Sequence, residues 1–258
     1  MPVNQTKNNE KVVLVTGSAQ RVGASIIKEL HSRGWRVIIH YRHSEQAALS
    51  LASTLNAQRA NSAFILKADL QQHAHIQLLA EQALQLTGRL DALVNNASTF
   101  YPTSIGEATL ADWDDLMISN ARAPFFLSQA LTPALTASRG CIVNIVDIHA
   151  TRPFKQHTIY CMAKAALGMM TASLAKELAP YVRVNGVAPG AILWPEDNSP
   201  SAIANDTQQQ ILASVPLARS GSPEDIARTV AFLIEDAPYI TGQIIAVDGG
   251  RTHTLGME

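Results

Sequence analysis

Cysteine and net charge are both scarce in this sequence. Its 258 residues include only two cysteines, Cys141 and Cys161, and its 20 lysines and arginines are balanced by 21 aspartates and glutamates. Two cysteines are too few for a disulfide framework at this length, which favours a reducing compartment. A net charge of -1 offers no general attraction for nucleic acid or an anionic membrane. We therefore expect partners to bind at a local site.

Long apolar runs are also lacking. The first ten residues are polar and do not resemble a signal peptide, and no later segment reaches the roughly 18 uninterrupted apolar residues of a membrane span. No linker, low-complexity tract or internal repeat divides the chain. We expect a cytoplasmic protein with a flexible N-terminus over residues 1–10 and one domain over residues 11–258.

Short aliphatic and β-branched runs recur along the chain, with helical patterns between them. They predict strands at Val12–Thr16, Trp35–Tyr41, Ala63–Ala68, Leu90–Asn95, Cys141–Val146, Tyr181–Val187 and Gln243–Val247. This alternation is typical of βα units, and continuous apolar runs such as VVLV suit strands covered on both faces. The predicted fold class is α/β: a single doubly wound Rossmann domain, with a seven-stranded parallel sheet and helices on both faces. An irregular stretch over residues 190–205 is a candidate substrate loop.

A glycine turn, from Gly17 to Gly23, follows the first predicted strand, and a helix begins within it. Such a turn lets backbone N–H groups approach a pyrophosphate at the positive end of a helix. The alternative is a turn that serves packing alone.

The second predicted strand ends in His40-Tyr41-Arg42-His43-Ser44, where an NAD site would present an acidic residue to the ribose 2′-hydroxyl. No carboxylate appears before Glu45. Cationic and hydroxyl donors at this place suit the 2′-phosphate of NADP, because charged donors bind a dianion best. We therefore expect NADPH. Asp69, after the third strand, is expected either to hold the adenine ring or to cap a helix.

Tyr160 and Lys164 are four residues apart in a segment with a helical pattern, so both project from one helix face. A phenol titrates at about pH 10, and a neighbouring ammonium favours its ionised form. The pair is therefore a candidate proton donor and acceptor. The same spacing is common by chance, so the assignment depends on the motifs around it.

Further motifs accompany this pair in order, namely Thr16-Gly17 with Gly23, Asn95-Asn96-Ala97, Asn120 and Pro189-Gly190. Together they resemble the short-chain dehydrogenase/reductase family, over about residues 11 to 250. The resemblance implies that Tyr160 is the general acid and that Lys164 binds the nicotinamide ribose and lowers the pKa of Tyr160. It also implies that Asn120 holds a water molecule in a proton relay.

Three positions depart from the general pattern of that family. Asp147 stands thirteen residues before Tyr160, where a serine is usual, Arg21 replaces the middle glycine of the turn, and Ser98 follows Ala97 in place of a glycine. A serine donates a hydrogen bond to a carbonyl oxygen, whereas an ionised aspartate cannot donate and repels a developing alkoxide. A carboxylate suits a substrate that presents N–H and amino donors.

At all three positions the sequence resembles the pteridine reductases, a branch of the family that reduces pterins and folates with NADPH. The resemblance implies that Phe100 stacks the pterin ring opposite the nicotinamide. It places Arg21 near cofactor phosphate and substrate, and Ser98 in contact with both. The catalytic residues it implies are Asp147, Tyr160, Lys164 and Asn120.

The branch has His and then Arg before Ser44, whereas this chain has Arg42 and then His43, so either is a candidate ligand of the 2′-phosphate. The residues expected at the cofactor are Gly17, Arg21, Val22, His40, Tyr41, Arg42, His43, Ser44, Asp69, Leu70, Asn96, Ala97, Ser98, Tyr160, Lys164, Pro189 and Gly190. Those expected at the substrate are Arg21, Ser98, Phe100, Asp147, Tyr160, Leu193 and Trp194. For the last two, packing of their own loop is the alternative.

Two other functions stay open. An ordinary carbonyl or 3-oxoacyl reductase is disfavoured by Asp147, and a non-catalytic NADP(H)-sensing protein is disfavoured by the complete set of Tyr160, Lys164 and Asn120. We expect no metal, nucleic-acid or membrane partner. The family resemblance implies a homotetramer that forms through the helices containing Met117 and Tyr160.

Overall fold

The computed structural model describes residues 10–192 and 205–254. Within these ranges one sheet contains seven parallel strands, in the order β3-β2-β1-β4-β5-β6-β7. The strands are β1 (Val12–Val15), β2 (Arg36–Tyr41), β3 (Ala63–Lys67), β4 (Ala92–Asn95), β5 (Cys141–Ile145), β6 (Arg183–Pro189) and β7 (Ile244–Val247). The predicted fold class, a doubly wound α/β domain with a seven-stranded parallel sheet, is confirmed.

Helices alternate with these strands. They are α1 (Arg21–Ser32), α2 (Glu45–Gln58), α3 (His73–Thr87), α4 (Leu110–Met117), α5 (Ala123–Ser138), α6 (Thr158–Leu178), α7 (Asn205–Ala213) and α8 (Pro223–Glu235). A π-helical segment, Ile118–Arg122, joins α4 to α5, and short 3₁₀ turns occur at Ile148–Ala150 and Arg251–His253. Among the described residues, no helix combines the length and apolar character needed to cross a membrane.

The central strands are buried on both faces, because helices cover the sheet from two sides. Along β1, Val13 and Val15 pack into the core beneath α1 and α8, whereas Val12 and Leu14 pack into the core beneath α3 and α5. All four side chains are fully buried. The unbroken apolar run of β1 follows from this coverage, since alternate side chains enter two different cores.

The strand ends lie within two residues of the predicted ones. The largest shift is in β6, which the sequence predicts at Tyr181–Val187 and which runs from Arg183 to Pro189. Its last two residues, Ala188 and Pro189, pair with β7. Tertiary pairing therefore extends the strand beyond the apolar run that marked it.

The connections diverge between β1 and β4. Strand β1 pairs with β2 on one side and with β4 on the other, so the chain leaves these strands in opposite directions. Ligands of doubly wound sheets bind at such a switch point, outside the carboxyl ends of the strands. The turn after β1 and the loop after β4 both lie at this edge.

Candidate active site

The turn after β1 requires glycine at two positions. Gly17 has a φ of +60°, and a Cβ atom there would lie 2.9 Å from the Cα atom of Ala97. A Cβ atom on Gly23 would lie 2.6 Å from the carbonyl oxygen of Gly17. Arg21 stands in place of the family's middle glycine and has a φ of 55°. This is the left-handed region of the backbone, which residues other than glycine rarely adopt. The turn thus keeps the backbone shape of a glycine-rich turn although one glycine is replaced.

Thr16 fastens the loop after β4 to this turn. Its hydroxyl accepts the backbone N–H groups of Asn96 at 2.9 Å and of Ala97 at 3.0 Å. The Asn96 side chain donates in return to the carbonyl oxygens of Thr16 at 2.8 Å and of Gly17 at 3.0 Å. Two predicted cofactor residues, Asn96 and Ala97, are therefore held beside the turn.

A cleft of about 420 Å³ opens at the switch point. Helix α1 begins there without a side-chain hydrogen bond from its N-cap residue, Gln20, so N–H groups of its first turn can bind an anion. The predicted cofactor residues that line the cleft are Gly17, Arg21, Val22, His40, Tyr41, Arg42, His43, Ser44, Asp69, Leu70, Asn96, Ala97 and Ser98. The close glycine approach, the helix terminus and the basic residues fit a nucleotide that carries phosphate groups.

His40 is 2% exposed, and both of its ring nitrogens have partners within the fold. Nδ1 accepts the N–H of Gly17 at 2.9 Å, and Nε2 donates to the carbonyl oxygen of Ala68 at 3.2 Å. Burial lowers the pKa of His40 to about 4, so the imidazole is neutral at pH 7. The expectation of a cationic phosphate donor at this position is therefore corrected. His40 shapes the glycine turn instead.

The neutral His40 makes stability depend on pH. The unfolded chain protonates this side chain below pH 6.5, whereas the folded protein resists protonation down to about 4. Between these values the unfolded state binds more protons, so the free energy of unfolding should fall as the pH falls, by at most about 1.4 kcal/mol per pH unit. Urea unfolding at about pH 7 and about pH 4.5 measures this loss. The loss should be smaller in His40→Gln, and equal pH slopes in the two proteins would contradict the assignment.

Arg42 and Asp69 form an ion pair in the cleft, with 3.0 Å between Nε and Oδ1. Asp69 also accepts the backbone N–H of Gln71 at 3.1 Å. Helix α3 begins only at His73, with Gln72 as its N-cap residue, so the interpretation of Asp69 as a helix cap is wrong. Its contact with adenine stays a prediction. One bond at Nε does not exhaust Arg42, because a guanidinium carries five N–H donors.

Tyr160 and Asp147 are joined directly at the carboxyl edge of the sheet. The Tyr160 hydroxyl donates to Oδ2 of Asp147 at 2.8 Å. Lys164 Nζ lies 5.6 Å from the centre of the Tyr160 ring and donates to the carbonyl oxygen of Ile145 at 2.9 Å. Tyr160 is 4% exposed and Lys164 is 2% exposed. The fold thus brings three of the four predicted catalytic residues together, with Tyr160 and Lys164 buried and Asp147 partly exposed.

The charges of this cluster differ from what the family resemblance implies. Burial raises the pKa of Tyr160 well above its ordinary value, and the carboxylate of Asp147 raises it further. Burial also lowers the pKa of Lys164 to about 8, while Asp147 opposes that shift. The pKa of Tyr160 is thus raised overall, where the family resemblance implies a lowered one, because the phenol is buried and bonds to a carboxylate. The effect of Lys164 on this pKa stays a prediction. Tyr160 is therefore protonated at neutral pH, as a general acid must be.

Asn120, the fourth predicted catalytic residue, is fully buried in the π-helical segment between α4 and α5. Its Oδ1 accepts the hydroxyl of Ser98 at 2.7 Å. Its Nδ2 donates to the carbonyl oxygens of Thr99 at 3.0 Å and Leu116 at 2.9 Å. Asn120 thus fixes the loop that carries Ser98. Single π-helical turns between α-helices are frequent at functional sites. The role of Asn120 in holding a water molecule for a proton relay stays a prediction.

Phe100 follows Ser98 on the loop after β4. Its ring meets Tyr160 edge-on, with 4.9 Å between ring centres. One face of Phe100 stacks on His157, with 4.6 Å between ring centres. His157 is a site residue that sequence reasoning missed, although its place three residues before Tyr160 puts it close to the helix face of the catalytic pair.

Arg251 is a second missed residue. It follows two glycines after β7 and is 6% exposed. Burial lowers the pKa of its guanidinium, and the charge of Asp147 opposes that shift. Arg251 therefore lies within electrostatic range of the catalytic carboxylate. No local motif marks it, because the two residues are brought together only by the sheet.

Some predicted residues lie at the end of β6 or beyond it. A Cβ atom on Gly190 would lie 2.6 Å from the Cβ atom of Asp248, so glycine is needed there for packing. The binding of cofactor by Pro189 and Gly190 stays a prediction. Leu193 and Trp194 lie outside the described residues, as do residues 193–204 of the candidate substrate loop and nine residues of the predicted flexible N-terminus.

A doubly wound parallel sheet, a glycine turn at its switch point and a buried Tyr-Lys pair define the class of nucleotide-dependent oxidoreductases. A family model described as enoyl-(acyl carrier protein) reductase matches residues 17–252. The chain belongs to the short-chain dehydrogenase/reductase family, whose reductases use a nicotinamide cofactor.

Individual relatives match nearly the whole chain. Pteridine reductase 1 of Leishmania tarentolae is 38% identical, over 96% of this chain and 99% of the relative. A 3-oxoacyl-(acyl-carrier-protein) reductase of Staphylococcus aureus is 33% identical, over 93% of this chain and 97% of the relative. An uncharacterized oxidoreductase of Methylorubrum extorquens is 33% identical, over 95% and 99%. All three are oxidoreductases by name, and the two names that include a substrate give different ones.

Proposed function

We propose that this protein is an NADPH-dependent pteridine reductase, which transfers a hydride to a C=N bond of a pterin or dihydropterin. Folate, dihydrofolate and dihydromonapterin belong to the same candidate class. The observation that carries the proposal is the bond between Asp147 and Tyr160, beside the ring of Phe100. The name of the Leishmania relative supports it.

The position of Asp147 bears directly on the substrate. A carboxylate accepts hydrogen bonds from the 2-amino group and ring N–H of a 2-amino-4-oxo-pteridine. It cannot donate to the oxygen of a ketone, and its charge opposes a developing alkoxide. Protonation of a ring nitrogen leaves no alkoxide on the substrate, so this repulsion between substrate and carboxylate does not arise.

The proton would come from Tyr160. The reduced nicotinamide, when bound, supplies the hydride to the ring carbon. Tyr160 donates its proton to the ring nitrogen, so the C=N bond becomes CH–NH and the phenol becomes a phenolate. Lys164, 5.6 Å from the ring centre, stabilises that phenolate by its positive charge. Phe100 holds the substrate ring by stacking, which aligns the reacting atoms.

The preference for NADPH is proposed from the end of β2. Exposed Arg42 and His43 line the cleft where an NAD site would present a carboxylate to the ribose. Arg42 is the stronger candidate ligand of the 2′-phosphate, because Asp69 already holds its guanidinium in the cleft at 3.0 Å.

Arg42→Ala should raise the KM for NADPH by about 10-fold to 100-fold, because a charge-assisted bond to the phosphate is lost. The KM for NADH should change by less than about two-fold, since NADH lacks that phosphate. His43→Ala is the matched control, and initial rates with each cofactor provide the measurement. A larger effect of His43→Ala on the KM for NADPH would assign the phosphate to His43 instead.

A 3-oxoacyl or other carbonyl reductase is the second candidate, supported by the Staphylococcus relative and by the Tyr160/Lys164 pair. A non-catalytic NADP(H)-sensing protein is the third. One assay separates the three: NADPH oxidation is followed with biopterin, dihydrobiopterin, dihydromonapterin, folate, dihydrofolate and an acetoacetyl thioester. Turnover of the thioester alone would refute the pterin proposal. Tight binding of NADPH without turnover of any substrate would favour the sensor.

We also propose that the chain forms a homotetramer. In the single chain several large apolar side chains of α4 and α6 are exposed, namely Leu110, Trp113, Met162 and Met169. Contact between copies would remove these side chains from water. The family resemblance points to the same helices.

A further inference from the structure

Four aromatic side chains form a continuous stack beside the catalytic cluster. Phe100 stacks on His157 with an interplanar angle of 14°, His157 on Phe154 at 29°, and Phe154 on His149 at 19°. The distances between successive ring centres are 4.6, 4.5 and 4.7 Å. Of these four residues, the sequence analysis predicts only Phe100 as a site residue.

His157 is the most buried residue of the stack. It is 7% exposed, and its Nδ1 lies 2.8 Å from the carbonyl oxygen of Lys155. Its backbone forms a β-bridge with Thr103, whose N–H donates to the carbonyl oxygen of Gln156 at 2.6 Å. Burial lowers the pKa of His157, which favours a neutral ring. The bridge therefore ties the start of α6 to the loop that carries Phe100.

Both ends of the stack meet the reacting groups. At one end the Phe100 ring touches Tyr160 edge-on, with 4.9 Å between ring centres. At the other end the backbone N–H of His149 donates to Oδ1 of Asp147 at 2.8 Å. The same carboxylate accepts the Tyr160 hydroxyl through its other oxygen. The stack therefore contacts the catalytic pair through the ring of Phe100 and through the backbone of His149.

We propose that His157 is a positioning residue for the reduction, which fixes the plane of the Phe100 ring against which the substrate ring stacks. The inference rests on the proposed function, since it assumes an aromatic substrate on Phe100. His157 covers one face of the Phe100 ring. If the Phe100 ring is already held in one plane, it orients the substrate ring and loses no further side-chain freedom when the substrate binds. His157 touches Phe100 and not the substrate, so its effect is indirect.

The test compares His157→Ala with His157→Phe. His157→Ala should raise the KM for dihydrobiopterin by about 10-fold and lower kcat by several-fold, because a misaligned ring reacts poorly. His157→Phe should restore most of the loss, since a phenyl ring can stack in the same place. The dissociation constant for NADPH should stay within about two-fold in both variants, because His157 does not line the cofactor cleft.

His73→Ala is the matched control, because His73 makes an edge contact with Phe126 at 4.7 Å on the α3–α5 side of the sheet. Like His157→Ala, this substitution removes a histidine ring that contacts a phenylalanine ring. It should leave KM and kcat unchanged. The Phe100 ring provides a readout that needs no substrate. The flipping rate of this ring, measured by aromatic NMR relaxation, should rise in His157→Ala and should return to the wild-type value in His157→Phe.

The outcomes are distinguishable from those of the proposed function. A wild-type protein that reduces no pterin or folate refutes the proposed function before any variant is made. A wild-type protein that reduces dihydrobiopterin, with unchanged KM and unchanged Phe100 flipping in His157→Ala, refutes only the positioning role. A rise in KM that His157→Phe does not reduce also refutes it, because the stack would then not be the cause.

Discussion

Tyr160→Phe should lower kcat for pterin reduction by about 10²-fold to 10⁴-fold. The substitution removes only the hydroxyl, which donates to Asp147 at 2.8 Å and is the proposed source of the proton. The ring keeps its edge contact with Phe100, so the KM for the pterin should change little. NADPH affinity should also persist, because the glycine turn and the end of β2 are untouched.

Steady-state rates and NADPH titration by fluorescence measure the two effects. Tyr101→Phe is the matched control, because Tyr101 packs in the same hydrophobic cluster. Burial raises the pKa of Tyr101 to about 12, with help from the charge of Asp115, so its phenol also stays protonated. Its loss should leave kcat unchanged. Retention of most activity in Tyr160→Phe would show that another group donates the proton.

Asp147→Asn should lower kcat/KM for pterins by about 100-fold or more, because an amide presents one acceptor oxygen where the carboxylate presents two. Both carboxylate oxygens are in use: Oδ2 accepts the Tyr160 hydroxyl and Oδ1 accepts the N–H of His149. Asp147→Ser restores the usual residue of the family. It should lose pterin reduction to a similar extent and gain reduction of an acetoacetyl thioester.

The pH profile of Asp147→Asn gives an independent readout. The carboxylate raises the pKa of Tyr160, second to burial, so its removal should lower that pKa. The decline of activity at high pH should therefore begin at a lower pH in Asp147→Asn than in the wild type. Asp114→Asn, an exposed aspartate on α4, is the control for loss of one negative charge. A variant that keeps full pterin activity, or an unmoved profile, would contradict the role given to Asp147.

Local patterns accounted for most of the architecture. Apolar runs located every strand of the sheet within two residues, because a strand covered on both faces must be apolar at successive positions. The turn from Gly17 to Gly23 was predictable because its glycines follow an apolar strand pattern and a helical pattern begins within them. Tyr160 and Lys164 were predictable as a pair because the helical repeat places residues four apart on one face.

The sequence by itself determined the fold class, the glycine turn and the residue types at the chemical site. Only the tertiary structure decided how those residues are partnered. His40 looked like a cation and is a buried, neutral support of Gly17. Tyr160 looked like the partner of Lys164 and bonds to Asp147. The physical reason is that burial and charge pairing depend on segments far apart in the chain, which meet only when the parallel strands align at one edge of the sheet.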